Sequence, residues 1–213
     1  MKSPAAPKRK RERLTREGRR ERIFNTASEI ALEEGVKAIT MERIADELSV
    51  TKGLLYQHFE SRELLLAALA EREVQDLVAR RIFNAAQGAD FEATARAVLS
   101  IYFGHVSERG SLLQVIVSDP NVVDALSQEC MTIWTQAKGV TRKLIKARFG
   151  LSDPVLSDAV GLIIALVAQA GRQVADRLTT RELAEDLTVS MILGGLTKLQ
   201  SHADAKPPSG QPK

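Results

Sequence analysis

TMERIADEL (residues 40–48), SV (49–50) and TKGLLYQHF (51–59) read in turn as a short helix, a tight turn and a second short helix. Thr40 and Thr51 stand where helix N-caps belong, and Glu42 falls in the positive first turn of the first helix. Ile44, Ala45, Leu48, Val50, Leu55 and Phe59 share an inward side, and burying them holds the two helices at a steep angle. Lys52 with Tyr56, and Gly53 with Gln57, are i, i+4 pairs on the opposite side. This is the spacing of a helix-turn-helix, whose second helix enters a DNA major groove.

The outer side has the chemistry for that task. Thr51, at the helix start, can bond a phosphate beside free backbone N–H groups. Lys52 can neutralise a phosphate or reach a guanine edge. Gly53 lets the helix approach closely, and Leu54 can pack on a thymine methyl. Tyr56 and His58 can donate to phosphates, Arg62 opens the next helix with another phosphate-seeking charge, and Thr40 completes the candidate DNA-binding set. Taken singly, Tyr56 or His58 is more often a packed side chain. The set as a whole, beside a basic segment, points to DNA.

That segment lies upstream. Residues 1–22 hold ten Lys or Arg against three Glu, a balance of +7, so with +3 overall the remainder carries −4. Such an end suits a polyanion, nucleic acid or anionic membrane, or is a solvated tail. A helix over residues 16–34 follows, with Ile23, Ala27, Ile30 and Ala31 on one face and Gly35 as its stop. Downstream, Ser61 caps a long helix running to Gly88. Helices are expected over 91–107, 111–117, 119–150, 154–178 and 179–200, with Asp119-Pro120 and Asp153-Pro154 as cap-and-proline starts and Thr179 with Glu182 as a capping box. No strand-like alternation occurs. The expectation is an all-α chain of about nine helices. It divides into a disordered basic arm (1–15), a helix-turn-helix DNA-binding domain (16–62), a helical effector-binding and dimerisation domain (63–200) and a disordered tail (201–213).

The stretch GVKAITMERIADELSVTKGLLYQHFESRELLL (35–66) resembles the amino-terminal domain of the tetracycline-repressor (TetR) family. Ile44-Ala45, Leu55-Tyr56-Gln57-His58-Phe59 and Ser61-Arg62-Glu63 carry the likeness, which spans about residues 20–70. Arg62 departs from the usual lysine but keeps the charge. The resemblance implies a homodimer on a pseudo-palindromic operator in double-stranded DNA, while the single cysteine, Cys130, which allows no internal disulfide, points to a cytoplasmic setting. The dimer's recognition helices would lie about 34–36 Å apart, one turn of DNA, or somewhat more. It also implies repression relieved by an unknown small-molecule effector.

The last two long helices are the expected dimer interface. Leu156, Val160, Ile163, Ile164, Val167, Ala170, Gly171 and Val174 form the face of one, and Leu183, Leu187, Met191, Gly194, Gly195 and Leu199 that of the other. Tyr102, Phe103, His105, Met131 and Trp134 are the candidate effector contacts, though each is more often core, and His105 could equally face solvent. Three separated histidines and one cysteine give no legible metal or nucleophile site, so no enzyme and no cofactor are expected. No apolar run approaches the ~20 residues of a membrane span. The competing class is a helical protein that uses its basic arm on a membrane surface or a partner.

Overall fold

The computed structural model describes residues 15–87 and 90–205; the expected arm, up to its last residue, and most of the expected tail lie outside the described residues. Among the described residues there are helices and no strands. The first helix, α1 (Arg16–Glu34), starts at Thr15, whose hydroxyl accepts from Gly18 N at 3.1 Å, and stops at Gly35, where φ is +87°. It buries Ile23, Phe24, Ala27, Ile30 and Ala31. A 3-10 turn (Val36–Ala38) leads to α2 (Met41–Leu48) and α3 (Lys52–Tyr56). Ser61 caps α4 (Arg62–Ala79) by accepting from Leu64 N.

The body consists of α5 (Ile82–Ala85), α6 (Phe91–Arg109), α7 (Leu112–Ile116), α8 (Pro120–Asp124), α9 (Gln128–Phe149), α10 (Val155–Ala175) and α11 (Arg181–Ala205). The described helices are thus eleven rather than nine, because two expected long helices are each interrupted. The helix from residue 62 breaks at Arg81, which takes a left-handed conformation with φ +61°. The helix from Asp119 breaks at residues 125–127, where the Ser127 hydroxyl accepts from Cys130 N and starts a new helix. Asp119 caps α8 as expected. The start of α10 differs, since Asp153 pairs with Arg142 and accepts from Ser157 Oγ instead of capping a backbone N–H. At α11 the cap is Thr180, which accepts from Leu183 N at 3.2 Å, and not Thr179.

One hydrophobic core runs from Ile23, Ile44, Leu55 and Phe59 through Leu65, Leu66 and Leu69 of α4 into Phe103, Leu112 and Ile116 of the body. The strut α4 therefore packs on the α1–α3 head at one end and on α7 and α8 along its flank. A second cluster, with Ile145, Phe149, Leu156 and Ile192, closes the far end of α9–α11. The α6–α7 turn depends on glycine: Gly110 has φ +71°, and a Cβ there would stand 2.7 Å from Leu32 Cδ2 of α1. Helix α10 is long and apolar enough to cross a membrane by length and composition, yet it folds against α6, α9 and α11.

Candidate nucleic-acid interface and body cavity

The recognition segment is held from behind by aromatics. Leu55 and Phe59 are buried, and the Phe59 ring packs at 5.4 Å from that of Phe24. The Arg20 guanidinium lies 4.4 Å over Phe59, and that of Arg72 lies 5.0 Å over Phe24. These contacts fix α3 to α1 and α4 and leave its other side open. Thr40, Thr51, Lys52, Gly53, Tyr56 and Gln57 are exposed, and Leu54 is half-buried.

Each candidate then has a definite state. Thr40 spends its hydroxyl on Arg43 N at 3.0 Å. Thr51 occupies the N-cap position of α3 but makes no side-chain cap bond, which leaves its hydroxyl to a ligand. Lys52 Nζ sits 2.7 Å from Glu42 Oε1, bracing α2 against α3. This contact lowers the Glu42 carboxyl below its usual range and raises the Lys52 ammonium. A phosphate must compete with Glu42 for it. A Cβ on Gly53 would meet nothing within 4 Å, so the missing side chain matters only for something arriving from outside.

Two candidates stand differently from the expectation. Arg62 is not free for phosphate. Its Nε donates to Ile39 O at 2.6 Å, Nη2 to Val36 O at 2.7 Å, and Nη1 to Asp119 Oδ2 at 3.1 Å. A planar guanidinium suits three such acceptors, so Arg62 ties the 3-10 turn and the body to α4. His58 is half-buried with Nδ1 sealed from solvent and without a partner among the described residues. Burial, then the charges of Arg16, Arg20 and Arg19, hold its pKa below 6.5. Any DNA contact falls to its other nitrogen. The outer face also includes Gln57, and the basic start of α1 lies beside α3, with Arg19 and Arg22 lining a small cleft shared with Leu54 and His58. Their positive charge was visible in the sequence, but their adjacency to α3 was not.

In the body, a cavity of about 510 Å³ lies among α4–α7 and α9–α11. Its wall is largely apolar and includes Leu77, Phe83, Val98, Leu99, Leu144, Ile163 and Val167. Of the five expected contacts, Tyr102 and Trp134 line it. Phe103 is fully buried in the core, and Met131 is exposed elsewhere. His105 is neither a wall residue nor solvent-facing: it is 2% exposed, with Nδ1 2.9 Å from Asp76 Oδ2 and Nε2 3.4 Å from Glu73 Oε2. Glu73, itself fully buried, also takes Arg109 and Arg72. This polar cluster clamps α4 to α6. Wall residues that the sequence did not disclose are Thr94, Gln114 and Arg172. Gln114 Nε2 donates to the Tyr102 hydroxyl, whose pKa burial pushes above its usual value.

Comparison with known proteins bears on both regions. Residues 23–69 match the family model described as bacterial regulatory proteins, tetR family. The HTH-type transcriptional activator FasR of Mycolicibacterium smegmatis is 29% identical over 199 residues, 92% of this chain and 91% of that protein. The HTH-type transcriptional repressor KstR2 of Rhodococcus jostii is 28% identical over 98 residues, 46% of this chain and 48% of its own. Among solved structures, a TetR-like transcriptional regulator from Rhodococcus sp. RHA1 superposes with a TM-score of 0.68 at 19% identity, covering 86% of this chain and 98% of that one. The fatty acid degradation regulator FadR of Bacillus halodurans gives 0.65 at 15% identity, over 87% and 98%. At these identities the structures are alike in fold.

Proposed function

We propose that the chain is a helix-turn-helix regulator of the tetR family, which represses transcription as a homodimer that a small apolar effector releases from a pseudo-palindromic operator. The observation that carries the DNA half is the open side of α3: Thr51, Lys52, Gly53 and Tyr56 are all exposed, on a helix locked from behind by Phe59 and Phe24. Thr51, Lys52 and Tyr56 contact phosphates or base edges, Leu54 reaches a thymine methyl, and Gly53 allows the approach. The cavity supports the effector half, and regulators named for a ketosteroid and for fatty acid degradation share the fold.

Fluorescence anisotropy against the intergenic DNA upstream of the gene, at two salt concentrations with scrambled competitor, tests the reading. Binding that resists competitor is expected. Lys52→Ala should weaken it and reduce the salt slope by about two units, one for each subunit of the dimer. Equal, salt-erased binding to both DNAs, there and in genome-wide fragment selection, would refute the assignment. The relative named an activator covers nearly the whole chain, which favours a second reading in which binding activates. A reporter fused to the operator separates them: deleting the gene raises expression under repression and lowers it under activation.

A further inference from the structure

The chemistry of the cavity wall narrows the effector, if the chain is effector-released as proposed above. We infer that the cavity takes an amphipath with one long apolar chain and an anionic head, and that Arg172 and Tyr102 receive the head. The apolar part of the argument is the shape. Thr94, Val98 and Tyr102 recur every four residues along one side of α6, and Phe91 stands at its start, so the wall extends about 16 Å along that helix at 1.5 Å per residue. A volume of about 510 Å³ lies in the range of small-molecule sites. An elongated hydrocarbon matches this apolar slot, whereas a compact polar metabolite would lose its hydration without replacement.

The polar part is confined and specific. Arg172 is the cation on the wall, and its guanidinium bonds only the neutral Gln169 Oε1, with no carboxylate partner among the described residues. It stands next in the chain to Gly171, where a Cβ would come 2.8 Å from the Tyr102 hydroxyl oxygen; both side chains line the wall, and the Arg172 charge acts on the Tyr102 phenol. The Gln114 carboxamide pairs with that hydroxyl. A half-buried cation without a carboxylate partner calls for an oxyanion. A free fatty acid has this charge on the carboxylate at the end of the chain, whereas an acyl-coenzyme A has it on phosphates beyond a neutral thioester; both join a long apolar chain to an anionic group.

Trp134 is the protein's one tryptophan and lines the cavity, so its emission reports occupancy directly. The full-length protein would be titrated with palmitate, octanoate, methyl palmitate and palmitoyl-coenzyme A, with calorimetry alongside. Palmitate should shift the emission saturably. Octanoate should bind at least about a hundredfold more weakly, as the lost methylenes require, and methyl palmitate about tenfold more weakly. Arg172→Gln should erase the preference for acid over ester while leaving the chain-length dependence. Whichever of palmitate and palmitoyl-coenzyme A binds more tightly identifies the source of the acyl chain. Absence of a saturable shift and of heat with all four, equal affinity for acid and ester, or an undiminished preference in Arg172→Gln would each overturn the inference. If palmitate binds as described but operator affinity does not change, the ligand assignment stands and the release mechanism falls.

Discussion

At the scale of single residues, Arg62 shows how a charge can be assigned to the wrong partner. From sequence it is a cation at the start of a helix in a DNA-binding head, and phosphate is the natural guess. In the fold its donors go to two backbone carbonyls and a carboxylate, all more than twenty residues away in sequence. No local pattern announces such acceptors. Arg62→Ala should therefore cost folding stability, about 3 kcal/mol in urea titration, because charged hydrogen bonds are lost and the Val36 and Ile39 carbonyls are left unpaired. Arg62→Lys should recover less than half, since one ammonium cannot span the three acceptors. An unchanged unfolding midpoint in Arg62→Ala would return the residue to the DNA-contact set. His58 has a different signature. Its folded pKa is held below 6.5, so as pH falls through 6.5 the unfolded chain takes up the proton first. Stability is then complete above that value and declines as pH drops toward the depressed folded pKa. Thermal unfolding between pH 7.5 and 5.5 should show this decline, and His58→Asn should flatten it; parallel slopes for both proteins would exclude His58 as the source.

At the scale of elements, the helices whose ends carry their own signals were legible: α1 with Gly35, α2 with Thr40, α4 with Ser61, and α8 with Asp119-Pro120. The breaks were not. Arg81 adopts a left-handed conformation with no glycine to mark it, and Ser127 looks like any mid-helix serine until its hydroxyl is seen on Cys130 N. The expected dimer face divides in the same way. On α10, Leu156, Val160, Ala170, Gly171 and Val174 are consumed by the protein's own core, because a helix that is apolar on several sides does not reveal which side faces inward. On α11 the expected stripe stays outside: Leu183, Leu187 and Met191 are 51%, 53% and 60% exposed, and Leu162 of α10 is 73% exposed. A stripe of large apolar side chains at i, i+4, i+8 spacing, left in water, calls for a partner, and under the homodimer proposed above that partner is a second copy. Leu187→Glu combined with Met191→Lys should give a monomer by light scattering, with unchanged helical circular dichroism and much weaker operator binding. A double variant that stays dimeric would move the interface off α11.

At the scale of the whole molecule, a short chain of polar contacts joins the cavity wall to the head. Leu113, Gln114 and Val117 of the α7 segment form part of the cavity wall. Two residues beyond Val117, Asp119 holds Arg62, and Arg62 holds the carbonyls of Val36 and Ile39, just ahead of the Thr40 cap of α2. On the other flank the α6–α7 turn rests on Leu32 of α1 through Gly110. The head and body also share one hydrophobic core, so a displacement of α7 is not absorbed by a loose linker. None of this was legible in the sequence, because it depends on residues 36, 39, 62 and 119 meeting in space. A ligand changes operator affinity only by the difference in its binding to two states, and some contact must differ between them. If the Asp119–Arg62 pair is that contact, Asp119→Asn is the discriminating variant. Asparagine still caps α8 through its side-chain oxygen, so the fold is retained, but the charge that holds Arg62 is gone. The variant should bind the effector normally, as read by Trp134 emission. The ratio of operator dissociation constants with and without effector should fall about fivefold or more, a coupling loss on the order of 1 kcal/mol. An identical ratio in both proteins would mean that the signal reaches the head through the packed α4 and Leu32 contacts, and that Arg62 serves stability alone.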